Sequence, residues 1–358
     1  MRDPQDTQRD GFGWLTFPLL IFAASRALLF AFAKSAPLFG SNMGTDAGLS
    51  QLFLAAHPTW AALGHGDIVN HARIARLGYV GAGDASTFPL VPLLGKGLGV
   101  VFASIEMGLV VLSLVACAAG FVGLYRLFER LRDRDTARWG VALLAAFPLS
   151  YHLSDGSALA CLLAFSTWGA FLAARGSFVW SGAMLSLAVL AHPAGIFSAL
   201  AAVCLSTPPL PWPKPWTRWL AIVVPGLALL AWPLYLRAHL VLGTAKAWAA
   251  LWPGAAPSTF AWSAMLLGFG GVMGAGTLLL FRLPGLRALG LIGGLQVGFA
   301  LQAWSPAAAY SLVLCWPALL GLADLLARRQ GLRAPMVAML GAHQGLLLYC
   351  FTHFLRLT

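Results

Sequence analysis

Long apolar runs recur along this chain, separated by short basic loops, and that pattern limits what it can fold into. They fall at roughly 14–33, 105–127, 138–153, 156–174, 178–191, 193–206, 216–238, 260–281, 286–303, 308–327 and 335–355. A helical run of about 20 apolar residues matches the ~30 Å hydrocarbon core of a bilayer. In lipid the backbone must satisfy its own hydrogen bonds, which leaves helices or a closed barrel. Barrel strands alternate over about ten residues, whereas these runs are continuous. Charged residues make up 10% of the 358 positions, against about 25% in a soluble domain. Mean hydropathy is +0.79. The expected fold class is an all-α polytopic membrane protein, with about 10–11 transmembrane helices in one integral membrane domain over residues 1–358.

The net charge of +11 does not point to nucleic acid. The basic residues lie in the loops, where they set topology and meet anionic headgroups, so the bilayer is the expected partner. Arg126, Arg130, Arg132, Arg134 and Arg138 form the densest group. Arg175, Lys214 with Arg218, Arg282 with Arg287, and Arg328, Arg329 and Arg333 mark further basic loops. The positive-inside rule places all of these in the cytoplasm, together with a leader carrying Arg2 and Arg9. Residues 178–206 then enter and leave through basic loops, so the chain must double back at "AHPAG", 191–195. The alternative is one kinked span of about 28 residues, which inverts the later loops.

Segment 34–104 is the long connection and is expected to be extracytoplasmic, with short helices and the active site. Within it, "GLSQLFLAAHPTWAALG" suits an interfacial helix. "FPLVPLLGKGLG" is too short and too rich in Pro and Gly for a clean span, and is expected to dip back to the surface. The first run follows a charged leader, contains Arg26 and reads as an uncleaved span. The five cysteines lie in apolar stretches without metal or disulfide spacing. The Ala, Gly, Leu and Arg bias suggests a bacterial inner membrane.

Only 12 residues are acidic. Asp3, Asp6 and Asp10 lie in the leader, Glu129, Asp133 and Asp135 sit among arginines, and Asp324 ends a span. Acid–base chemistry on the outer side must therefore draw on Asp46, Asp67, Asp84, Glu106, Asp155 or a histidine. The stretch "GHGDIVNHARIARLGY", 64–79, concentrates such groups. Asp67 can cap a helix starting near Ile68, or act as a general base with a pKa tuned by an apolar boundary. His71 follows it by four residues on one helical face. His65, Asp67 and His71 can ligate a divalent metal, or hydrogen-bond to one another or to substrate; no other cofactor is called for. Arg73 and Arg76 can grip a phosphate as planar forks, or snorkel to headgroups. Asp155 in "YHLSDGSALA" can cap the next helix, with Ser154 as an alternative. His152 and His192 are expected at the outer face, where lone histidines at helix ends are usually structural. Asp67, Asp155 and His192 come from separate connections and are expected to converge on one side.

"GDIVNHARIARLGY" followed by "STFPLVPLL" resembles the first outer loop of the PIG-V family of mannosyltransferases, membrane glycosyltransferases of GT-C type. Asp67 falls on the family aspartate, with Ile74, Ala75, Gly78 and Tyr79 after it. Phe88, Pro89, Leu90, Pro92 and Leu93 match a second element. Residues 147–196 resemble a further family stretch. Gly66 stands where the family has tryptophan, Asp155 for a glutamate and His192 for an arginine, and Ala308, Ala309 and Tyr310 lack another arginine. The resemblance implies a GT-C-like bundle and an inverting transferase with Asp67 as general base. The donor is a polyprenyl-phosphate sugar, with mannose first, and the acceptor lies outside the cytoplasm. His65, His71, Arg73, Arg76, Lys96, Asp155 and His192 are the expected substrate contacts.

Two other readings stand beside it. A non-catalytic relative or lipid-glycan binder follows from the missing arginines. A transporter or flippase would need charge at membrane depth, approached only by Arg26, Glu106 and Arg237, and no half-to-half repeat supports it.

Overall fold

A computed structural model describes residues 13–35, 38, 67–205, 216–239, 260–302 and 311–352. Among the described residues all regular structure is helical, with thirteen α-helices and short 3₁₀ turns. They are α1 (Gly13–Ser35), α2 (Asp67–Leu77), α3 (Leu90–Phe102), α4 (Ile105–Leu131), α5 (Arg134–Ala146), α6 (Leu159–Ala174), α7 (Phe178–Ala191), α8 (Gly195–Cys204), α9 (Leu220–His239), α10 (Phe260–Leu280), α11 (Arg287–Gln302), α12 (Trp316–Arg328) and α13 (Arg333–Thr352). The protein is an all-α polytopic membrane protein. Among the described residues, α1, α4 and the segment Thr217–His239 are long and apolar enough to cross a membrane. The expected interfacial helix, Asp46, His65, Gly66, Lys214 and positions 308–310 lie outside the described residues.

The longest helix, α4, organises the rest. Its buried side chains Phe121, Leu124, Leu127 and Phe128 form the centre of the main core. Lipid tails are as apolar as leucine, so helices in a bilayer associate by close packing rather than by hydrophobic burial. The α4–α6 crossing shows this. A Cβ at Gly120 would lie 2.7 Å from Leu163, and one at Gly123 would lie 2.4 Å from Thr167 Oγ1. The α10–α12 crossing depends likewise on Gly276 and Gly321.

Three local outcomes differ from, or settle, the sequence expectations. The run 138–153 is not one helix. Residues before proline disfavour the helical region, and Phe147, preceding Pro148, is extended at φ −61°, ψ 134°. Helix α5 therefore ends at Ala146, and a buried 3₁₀ turn, Ser150–Leu153, follows. "FPLVPLLGKGLG" forms most of an orderly 13-residue helix, α3. It lies close against α4, where a Cβ at Gly108 would meet the Gly99 backbone nitrogen at 2.8 Å. At "AHPAG" the chain doubles back. His192 is extended and ends α7, and a Cβ at Gly195 would lie 2.7 Å from the Ala188 carbonyl carbon. Helix α8 thus packs alongside α7 rather than continuing it.

The ends of α4 define two faces. Near Arg132 the guanidinium meets Asp324 of α12, while Arg126 and Arg138 lie over Trp14 and Phe17 of α1. At the other end Glu106 pairs with Arg76 of α2. Twenty-six residues separate Glu106 from Arg132, about 39 Å of helix. Helices α5, α6 and α7 each have one end on the arginine face and contain 13, 16 and 14 residues. They rise only about 20–24 Å. In length they are thus roughly 15–20 Å shorter than α4.

Candidate active site

The Glu106 end, where α4 exceeds its neighbours in length, is termed the recess end; there α2 packs against the buried segment 147–158. One face of α2, with Ile68, His71, Ala72 and Ala75, is buried. This is the spacing of an amphipathic helix. The contact depends on Gly156. Its φ of +83° is left-handed, and a Cβ there would lie 2.6 Å from Ile68 Cδ1. The absent side chain admits α2 and leaves the Gly156 carbonyl facing His71. His71 Nδ1 lies 3.2 Å from that oxygen. A carbonyl only accepts, so Nδ1–H donates, and Nε2 is the lone-pair nitrogen of neutral His71.

His192 shows the opposite tautomer. The Ala194 backbone N–H donates to its Nδ1 at 3.1 Å. The ring proton of neutral His192 is therefore on Nε2. Burial lowers the pKa of both histidines, that of His192 to about 4, and the nearby Asp67 carboxylate offsets this in part. Both rings are neutral at pH 7. The site thus offers one imidazole acceptor and one imidazole donor, both near the Asp67 carboxylate.

Asp67 is the first residue of α2 and is exposed. The helix N-terminus favours a carboxylate there through its dipole. The other described outer acids are engaged. Asp84 accepts from Arg73 and from the Val80 and Gly81 backbone N–H groups. The Arg73 guanidinium holds its pKa below the usual carboxylate range, and those two N–H groups act in the same direction. Glu106 is held by Arg76 and Ser104. Asp155 is buried, with Oδ2 2.5 Å from His152 Nδ1 and Oδ1 accepting from the Ser157 backbone N–H at 2.9 Å.

The turn carrying Asp155 is anchored from α1. Arg26, 3% exposed, donates to the Ser150 carbonyl and Oγ at 2.9 Å each and to Ser154 Oγ at 3.0 Å. A guanidinium at membrane depth is costly unless its donors are satisfied, and here they hold the turn at the recess end.

Asp67 and Asp155 act electrostatically on His71, and Asp67 and His71 on His192. Arg73 and Arg76 diverge to Asp84 and Glu106, with about a third of each side chain exposed (35% and 34%). They form ion pairs rather than one clamp. Lys96 is exposed on α3, away from the face packed on α4. Asp155 holds the turn instead of capping α6, whose N-cap is Ala158. Arg26 and His152 have larger parts than the sequence suggested. The three-residue spacing of His152 and Asp155 was a usable signal, but nothing local linked Arg26 to serines more than 120 residues away.

Among the described residues no three His, Cys, Asp or Glu side chains gather as a metal set. Two members of the His65, Asp67 and His71 set are described. No cysteine is paired; Cys117, Cys161, Cys315 and Cys350 are buried and Cys204 is half-buried.

No family model and no curated protein matches the sequence. Solved structures do match in fold. The apo oligosaccharyltransferase of Archaeoglobus fulgidus aligns with TM-score 0.52 and 12% identity, over 98% of this chain and 56% of that one. The same archaeal enzyme in complex with an inhibitory peptide and a dolichol-phosphate aligns with TM-score 0.47 and 12% identity, over 93% and 55%. This chain spans about half the length of the solved chains it matches. At this identity the likeness is one of architecture alone.

Proposed function

We propose that this protein is an inverting GT-C glycosyltransferase that moves a sugar, mannose in the first instance, from a polyprenyl-phosphate donor to an extracytoplasmic acceptor. The observation that carries the proposal is the position of Asp67, an exposed carboxylate at the N-terminus of α2, which packs at the end of α4 opposite the arginines. The positive-inside rule assigns the arginine face to the cytoplasm and the recess end to the outside, in an inner membrane of bacterial type. Residues 1–358 act as one membrane domain, with 34–104 supplying the catalytic loop. The shared fold with an oligosaccharyltransferase supports the class of chemistry.

The donor is proposed to reach Asp67 from the bilayer, with its phosphate at headgroup level. The acceptor hydroxyl oxygen attacks the anomeric carbon as its proton passes to Asp67. The bond from that carbon to the phosphate oxygen breaks, the configuration inverts, and polyprenyl phosphate leaves. His192 Nε2–H is placed to donate to the leaving phosphate or a sugar oxygen. His71 Nε2 is placed to accept from a hydroxyl. No step requires a metal.

Purified protein given a panel of polyprenyl-phosphate sugars should consume one donor, and Asp67→Asn should fold but not turn it over. An active Asn variant would end the mechanism. The pairing of Arg73 and Arg76 with carboxylates favours a second reading, a non-catalytic lipid-glycan binder. Donor binding without consumption by wild-type protein would select it.

A further inference from the structure

On the arginine side, away from the recess end, a groove of about 390 Å³ runs between α10, α12 and α13. Leu278, Leu279, Leu322, Leu325 and Met336 line it, and Arg282 stands at its end. Its flanks face outward, with Leu278 66% and Met339 43% exposed. The α10 wall runs from Val272 to Arg282. From Val272 to the end of α10 at Leu280 the helix rises about 12 Å, close to half of a ~30 Å hydrocarbon core. The groove is thus one leaflet deep, apolar along its length and cationic at headgroup level.

The rim charges point to the headgroup. Arg328 is taken by Asp324, and Arg333 donates to the Leu326 and Ala327 carbonyls. Arg282 has neither a hydrogen bond nor an ion pair among the described residues, and it is exposed. Arg287 opens the next helix five residues on. We propose that this groove holds one acyl chain of an anionic phospholipid from the arginine-side leaflet, with its phosphate on Arg282. The site is separate from the candidate active site and does not depend on the transferase proposal.

The test is native mass spectrometry of the purified full chain titrated with phosphatidylglycerol or phosphatidylcholine of identical chains. One basic residue at an anionic surface contributes about fivefold in affinity. Wild type should retain one phosphatidylglycerol about fivefold more tightly than phosphatidylcholine. Arg282→Glu should abolish the preference; Arg282 is exposed, so folding is not at risk. Ala275→Trp fills the groove and should reduce retention of both lipids. Equal retention by wild type, an unchanged preference in Arg282→Glu, or displacement by inorganic phosphate or polyprenyl phosphate at matched concentration would overturn the assignment.

Discussion

The two ends of α4 handle charge in different ways. At the arginine end most pairs are local and wet: Arg126 with Glu129, Arg134 with Glu129, and Arg138 with Asp135, whose side chains are 50% and 67% exposed. Such pairs are screened and contribute about 0–1 kcal/mol each. At the recess end several polar contacts join residues distant in sequence. His71 meets Gly156 across 85 residues, Arg76 meets Glu106 across 30, and Arg26 meets Ser150 across 124. The His71 and Arg26 contacts are buried from water, as is Glu106, so these are costly to break. The first arrangement sets orientation in the bilayer; the second sets the shape of a site. The Arg132–Asp324 pair, between α4 and α12, is the part of the arginine face built like the recess end.

The comparison can be tested by substitution. The largest effect should come from Asp67, the recess-end acid that has no internal partner among the described residues. Asp67→Asn should lower donor turnover by about 10²–10⁴-fold while the melting temperature in detergent stays close to wild type. Next is Arg76→Ala, which takes from the buried Glu106 its guanidinium partner. Loss of one partner of a buried pair costs about 3–5 kcal/mol, so a large drop in thermal stability is expected, and Arg76→Lys should restore part of it.

Smaller is an acid effect at His192. Its pKa is about 4 in the folded protein against 6.5 as the ordinary value. The unfolded chain therefore binds more protons between these pH values, and stability should fall as pH drops from 6.5 toward 4. His192→Gln should flatten the melting temperature over that window; an equally steep slope in the variant would mean the acid sensitivity comes from elsewhere. The smallest effect belongs to the arginine end. Arg138→Ala should change unfolding by at most about 1 kcal/mol. A larger loss there would show that the exposed pairs carry structural weight and would dissolve the contrast between the two ends.

Much of the architecture was legible in the residues. Apolar runs located α1, α4, α7 and the Thr217–His239 span closely, because membrane burial demands length and hydrophobicity from each helix separately. The break at 191–195 was legible because proline and glycine act locally. Pro148 carried the same kind of signal and still did not suggest that α5 stops at Ala146, since a long apolar run masks a short polar turn. At the site, Asp67, His71, Asp155 and His192 were identifiable as types and positions. Their tautomers, and the commitment of Arg73, Arg76 and Asp155 to internal partners, were not.

The sequence by itself determined an all-helical membrane protein with one basic face, because hydrophobic length and charge placement are properties of single segments. Only the tertiary structure decided that α2 packs on the turn between α5 and α6 through Gly156. It alone decided that a glycine carbonyl sets the proton on His71 and that Arg26 holds that turn. Those outcomes depend on contacts between residues 85 to 128 positions apart, and no local pattern encodes a meeting at that distance.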